Sequence, residues 1–184
     1  MRSLLVVAML VLAAACGSTM QVKSNEANKG ADVARYHTYA QETAEQPPEG
    51  FARTDLTPDV TDIIFKTVDE ELSRRGYAQA PPGTKPELLV RSSSGVRQVR
   101  RQPTGKAAVV GAPSVEETQS QLVIDIFDQS GKQLFHGYAQ DEVQPGQVKE
   151  ERVDQAVAKI LAPVPMSSQA PASMTTTRPR QGTP

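Results

Sequence analysis

The sequence predicts a two-layer α+β domain, with two helices covering one face of a small mixed or antiparallel sheet in the order β-α-β-loop-β-β-α. Three observations lead there. Val60, Ile64, Val68 and Leu72 recur at every fourth residue, a helix with one apolar stripe. Val153, Ala156, Val157, Ile160 and Leu161 fall on one face of a second helical stretch. Residues 122–127 (LVIDIF) and 132–140 (KQLFHGYAQ) flank Asp128-Gln129-Ser130-Gly131, a strand-turn-strand pattern with Gly supplying positive φ. One-faced helices beside such a sheet bury their apolar sides only by packing on it.

Taken in order, the chain opens with Arg2 and the apolar run 4–14 (LLVVAMLVLAA). Eleven helical residues rise only about 16 Å, short of a bilayer core of about 30 Å. The run has the length of a secretory h-region. It ends in Leu12-Ala13-Ala14-Ala15-Cys16-Gly17, which resembles the lipobox of bacterial lipoproteins, although Ala13 stands where that motif usually has Leu. The resemblance implies a signal peptide over residues 1–15, cleavage between Ala15 and Cys16, and lipidation of Cys16, the chain's single cysteine. The alternative is an ordinary signal peptide cut after Ala-x-Ala. Gly17 in place of the Asp that retains such proteins at the inner membrane implies an outer-membrane lipoprotein, anchored by its lipid and facing the periplasm.

Residues 16–30 then read as a lipidated cysteine and a polar, aperiodic tether, and residues 31–162 as the domain. Within it, residues 33–40 (VARYHTYA) have strand composition. Thr57-Pro58-Asp59 starts the first helix: Thr suits the cap, Pro the first turn, and Asp the positive end of the dipole. Arg74 and Arg75 load its last turn, Gly76 takes a left-handed position, and Tyr77 folds back on it. Residues 88–90 form a short strand after Pro86. Residues 93–117 read as a long loop punctuated by Gly and Pro. The second helix is expected over 148–161, ended by Pro163 and Pro165. Residues 163–184, rich in Pro, Ser and Thr, are expected to be disordered.

Composition bounds the function. Val, Leu, Ile and Phe make up about 21% of the chain, which limits the core to one modest domain. Loss of the leader leaves 19 basic and 21 acidic residues. That balance argues against a nucleic-acid partner. Thr104-Gly105-Lys106-Ala107 fails as a phosphate loop, with Arg100 where the first Gly is needed and Ala107 where a hydroxyl is needed. Arg97, Arg100, Arg101 and Lys106 form a basic cluster without interleaved aromatics, read as a solvated loop that deters edge pairing. His37 and His136 are the only histidines, too few for a three-His zinc set, and Asp125, Asp128, Asp141 and Glu142 lack calcium-loop spacing. No cofactor or metal site is expected.

His136 is the one candidate general base. A three-residue hairpin loop pairs Ile124 with His136 and turns the imidazole inward; a four-residue loop pairs Ile124 with Phe135 and turns it outward, the favoured register. Neither supplies a Ser, Cys or Asp to complete a relay, so no catalytic residue is assigned. Tyr36 and Tyr39 read as core or sheet-surface residues.

Several segments together resemble the lipoproteins of domain-of-unknown-function family 4136. They are Tyr36-His37-Thr38-Tyr39-Ala40, Leu72-Ser73-Arg74-Arg75-Gly76-Tyr77, Pro86-Glu87-Leu88-Leu89-Val90 and residues 122–128, 133–139 and 156–165. The chain departs from the family where Gln41 replaces an aromatic, Glu87 an Asp, and Phe135-His136 the common Trp-Arg. The resemblance implies an envelope lipoprotein without an established activity. The leading expectation is therefore a non-enzymatic, lipid-anchored periplasmic module that contacts another envelope component through its open sheet face or the 93–117 loop, or that maintains the envelope. The second is a module binding a small lipid or glycan, and the third a hydrolase.

Overall fold

The computed structural model describes residues 20–25, 33–52, 58–143 and 150–168. The expectations for the leader, Cys16, the Thr57 cap and residues 169–184 lie outside them. Six strands, β1 (Gln21–Asn25), β2 (Thr38–Thr43), β3 (Ala78–Gln79), β4 (Leu88–Arg101), β5 (Val115–Asp128) and β6 (Gln133–Val143), form one sheet in the order β1-β6-β5-β4-β2-β3. β2 runs parallel to β3 and β4; the other pairs are antiparallel. Two helices, α1 (Pro58–Arg74) and α3 (Glu150–Leu161), pack on one face, and a four-residue helix, α2 (Lys106–Val109), lies between β4 and β5. The α+β two-layer expectation is met.

The core is the interior the periodicities imply. Val60, Ile64, Val68 and Leu72 of α1 and Ala156, Val157, Ile160 and Leu161 of α3 are buried. They meet Tyr39, Leu88, Val90, Leu122, Ile124 and Ile126 from alternate positions of the sheet. Gly76 has φ 85° and Gly131 φ 82°, as expected at the two turns.

Several expectations need correction. The segment 33–40 is a 3-10 turn (Val33–Arg35) followed by β2, which starts only at Thr38. Residues 93–117 are not a long loop. β4 and β5 continue through them, paired one to one from Leu88↔Asp128 to Arg101↔Val115, and only residues 102–114 connect them. The paired backbones satisfy their own hydrogen bonds, so this arm needs no apolar alternation, and none marks it in the sequence. The supposed tether contains β1, an edge strand on β6, with Met20 and Val22 packed against the core. The supposed tail is docked as far as Ser168: Val164 is buried, and the backbone N–H groups of Ser167 and Ser168 donate to Arg75 O (2.8 Å) and Ala34 O (2.7 Å).

Both proposed hairpin registers are also wrong. Asp125 faces His136, Ile124 faces Gly137, and a bulge leaves Leu134 between the pairs Ile126↔Phe135 and Phe127↔Gln133. The extra residue lets Leu134 and Phe135 both enter the core. The favoured outward direction of His136 survives the register's failure, because the observed pairing is offset from it by two residues and keeps the same face.

Candidate functional site

The sheet face turned away from the helices is polar and cross-linked. Arg91 pairs with Glu42 on β2, and its guanidinium lies 4.9 Å from the centroid of Phe127 on β5. In the same cross-strand row Asp125 stands opposite both Arg91 and His136; His136 Nδ1 lies 2.6 Å from Asp125 Oδ1, and the Gln133 amide donates to the same oxygen at 2.7 Å. The His136 side chain is 37% exposed. The structure thus brings together two residues that the sequence left apart. Asp125 was missed as a partner because only the true register sets it directly across from His136. Among the described residues the hydrogen-bond partners of this pair include no hydroxyl or thiol, so it lacks a nucleophile to activate.

The other acids do not converge on it. Asp128 closes the β5–β6 turn, accepting from the backbone N–H of Ser130 (2.8 Å) and Lys132 (3.1 Å). The Ser130 hydroxyl and these N–H groups hold its carboxyl below the usual range. Asp141 pairs with Arg152 of α3, and Glu142 with Arg101 at 2.7 Å. Among the described residues no group of three or more His, Cys, Asp or Glu could hold a metal ion. His37 is separate again, with Nδ1 2.8 Å from Ser167 Oγ.

A second feature is an open concavity of about 410 Å³ at the C-terminal end of α1, lined by Asp69, Ser73, Gly76, Tyr77, Ala78 and Gln79. Two of its polar groups, Asp69 and the Tyr77 hydroxyl, are committed. The Tyr39 hydroxyl, from below, donates to Asp69, and burial together with that carboxylate pushes the phenol far above its ordinary value. Tyr77 donates to Pro165 O at 2.9 Å, and burial, opposed by Arg75, pushes it up to about 12. Both phenols therefore stay protonated at neutral pH. Tyr39 is a core residue, one of the two places expected for it.

The third feature is the arm. Beyond Val96, β4 and β5 extend as a ribbon whose cross-strand contacts are polar. Arg97 bonds Gln119 and stacks on Phe51 at 4.6 Å, Gln98 bonds Thr118, and Arg101 pairs with Glu117. Arg97, Arg100 and Arg101 are thus strung along β4, and only Lys106 lies in the connection, on α2. At the far end Val109 is 87%, Val110 79% and Val115 57% exposed. Among the described residues no helix is long and apolar enough to cross a membrane.

Comparison with solved structures gives the fold. The PelC dodecamer of Paraburkholderia phytofirmans matches 82% of this chain and all of its own, at 16% identity and TM-score 0.51. A DUF4136 family protein of Bacteroides thetaiotaomicron matches 78% of this chain and 94% of its own, at 12% identity and TM-score 0.50. A PDZ domain protein of Parabacteroides distasonis matches 83% of this chain but 38% of its own, at 15% identity and TM-score 0.51. None of these descriptions names an enzymatic activity. No curated protein matches the chain. Residues 23–166, from the second half of β1 to the docked segment after α3, match one family model, and the chain belongs to that family, described as a domain of unknown function (DUF4136).

Proposed function

We propose that this chain is a lipid-anchored module of the bacterial envelope, joined to the outer membrane through an acylated Cys16, with its domain in the periplasm. Its work is to contact another envelope component, not to catalyse a reaction. The observation that carries this reading is the closeness of the lipobox cysteine to the fold: Cys16 stands five residues before Gln21, the first residue of the edge strand β1. Five extended residues span at most about 17 Å, so a lipid on Cys16 keeps the domain at the membrane surface. The open sheet face and the projecting arm supply surfaces for a partner. PelC forms a dodecamer, which makes assembly with further copies of this chain one form such a contact can take.

Replacement of Cys16 by Ser tests the anchor. Acyl labelling and membrane association should both be abolished; an unlabelled wild type that fractionates as the variant does would overturn it. Crosslinking and co-purification from native membranes test the interaction, and repeated recovery of no partner counts against it. A second reading, a small lipid or glycan ligand, is favoured only by the concavity beside Tyr77. A ligand-induced rise in melting temperature that Ser73→Trp abolishes would support it.

A further inference from the structure

We propose that the far end of the β4–β5 arm rests on the phospholipid surface that holds the anchor, seating Val109, Val110 and Val115 among the headgroups; this rests on the reading of Cys16 as lipidated. Three observations converge. The first is direction. β1 enters the sheet at Gln21, opposite Gln140; Gln140 faces Gln121, and Gln121 faces Gly95. From that level β4 runs on to Arg101 and β5 begins at Val115, so the arm projects from the end of the sheet at which the chain arrives from Cys16. The β5–β6 turn and the docked segment 164–168 lie at the opposite end.

The second is reach. Six further residue pairs carry the arm about 20 Å past Gln21. The five residues back to Cys16 reach at most about 17 Å. An acyl group no farther than that from Gln21 lets the tip of the arm reach the bilayer surface.

The third is chemistry. The stem is polar and ion-paired, yet at its tip the adjacent Val109 and Val110, and Val115 where β5 begins, are exposed, apolar surface that gains by being covered. Residues 96–120 hold four bases, Arg97, Arg100, Arg101 and Lys106, against Glu116 and Glu117, with Glu142 of β6 beside Arg101 as a third acid, an excess of one base. An apolar tip on a weakly basic stem suits a phospholipid surface, where valines enter the headgroup boundary and the bases remain beside the phosphates. A purely apolar protein groove would gain nothing from the bases.

The acylated Cys16 leaves no free thiol, so a single introduced cysteine can be labelled uniquely. The full lipidated chain, carrying an environment-sensitive fluorophore at Val110→Cys or, as control, at Ser130→Cys in the opposite turn, is reconstituted on phosphatidylethanolamine–phosphatidylglycerol vesicles. The expected result is a blue shift at position 110 and loss of its emission when nitroxide-headgroup lipid is included, with neither at position 130. In a Val109→Asp chain the blue shift at 110 should be lost. A chain that floats with the vesicles while its probe at 110 behaves like that at 130 overturns the arm proposal and leaves the anchor standing. A wild type without acyl mass that does not float removes the anchor, and the proposal with it. A blue shift that appears without vesicles and grows with protein concentration means that a second copy covers the tip, which also overturns it.

Discussion

At the scale of single residues, buried or half-buried carboxylates hold the ends of elements, and two of them make predictions. Glu71 is 7% exposed and forms ion pairs with Arg74 (2.6 Å) and Arg75, while Arg75 also donates to the Glu71 carbonyl at 2.8 Å. The two arginines legible as complements to the helix C-terminus therefore also neutralise an acid inside the helix. Glu71→Gln should destabilise the domain by about 2–3 kcal/mol, below the full cost of breaking a buried pair because Arg74 is largely in water; the urea midpoint reads this directly, and an unchanged midpoint would sink it. Glu87 joins the starts of β2 and β4. Its carboxylate accepts the backbone N–H groups of His37 (2.7 Å) and Thr38 (3.0 Å), while Thr38 Oγ1 accepts the Glu87 N–H at 3.2 Å. Burial acts to raise its pKa, but these hydrogen bonds outweigh it and hold the carboxyl below its ordinary value. A folded value below the unfolded one contributes stability above the unfolded pKa, and that contribution is lost as pH falls through the folded pKa. The melting-temperature difference between wild type and Glu87→Gln should therefore shrink steadily below about pH 4.5. A difference independent of pH would show that the carboxylate is not the source.

At the scale of elements, the fold depends on close approaches between helix and sheet. A Cβ on Gly137 of β6 would lie 2.7 Å from Ile160 Cγ2 of α3 and 3.0 Å from the Phe135 ring. Gly137→Ala should cost about 1–3 kcal/mol through overpacking, and Ile160→Leu in the same chain, which removes the Cγ2 branch at similar volume, should recover part of it. Calorimetric melting of the single and double variants measures both; additive losses would mean that the two sites do not touch. The two helices are also tied to each other, by Thr67 Oγ1 at 2.6 Å from Asp154 and by Lys66 at 3.2 Å from Glu150. How far these elements could be read from sequence follows from what holds each one. The stripe of Val60, Ile64, Val68 and Leu72 is legible because burial itself selects it. β1 and the outer parts of β4 and β5 are not, because backbone pairing holds them while their side chains stay polar. The hairpin register failed for a local reason: the bulge at Leu134 adds a residue that no turn signal announces, so the Asp125–His136 pair could not be found by counting from Gly131. Glu71 also escaped notice, because an acid in a helix reads as solvent-facing until its arginines fold back over it.

At the scale of the whole molecule, the buried core and the arm share one continuous pair of strands but not one source of stability. Every buried side chain of β4 and β5 lies in residues 88–92 or 122–126, and none of the described residues from 97 to 120 is buried. Toward the core, β4 is flanked by β2 as well as β5, and its last tie on the β2 side is the isolated bridge between Ala52 and Val96. Gly95 sits just before that bridge, and a Cβ there would lie 2.8 Å from Phe51 Cβ and 2.9 Å from Ala52 O, so the segment through Phe51 marks where the packed domain stops. Beyond that point local unfolding of the ribbon exposes little apolar surface, and the arm belongs to the low-stability end of the molecule. Excising residues 99–117 and joining Gln98 to Thr118, which face each other in the sheet, through an Asn-Gly turn should leave a folded domain. Its unfolding free energy should stay within about 1 kcal/mol of the parent, the range expected when only exposed contacts are removed. Amide exchange at Leu89 through Arg91 should remain as slow as in the full chain, since the neighbours β2 and β5 are intact there. Loss of cooperative unfolding in the excised chain would mean that the arm takes part in the core after all. Retention of the core, with loss only of whatever the arm touches, would establish the arm as a separable device on a self-sufficient α+β domain.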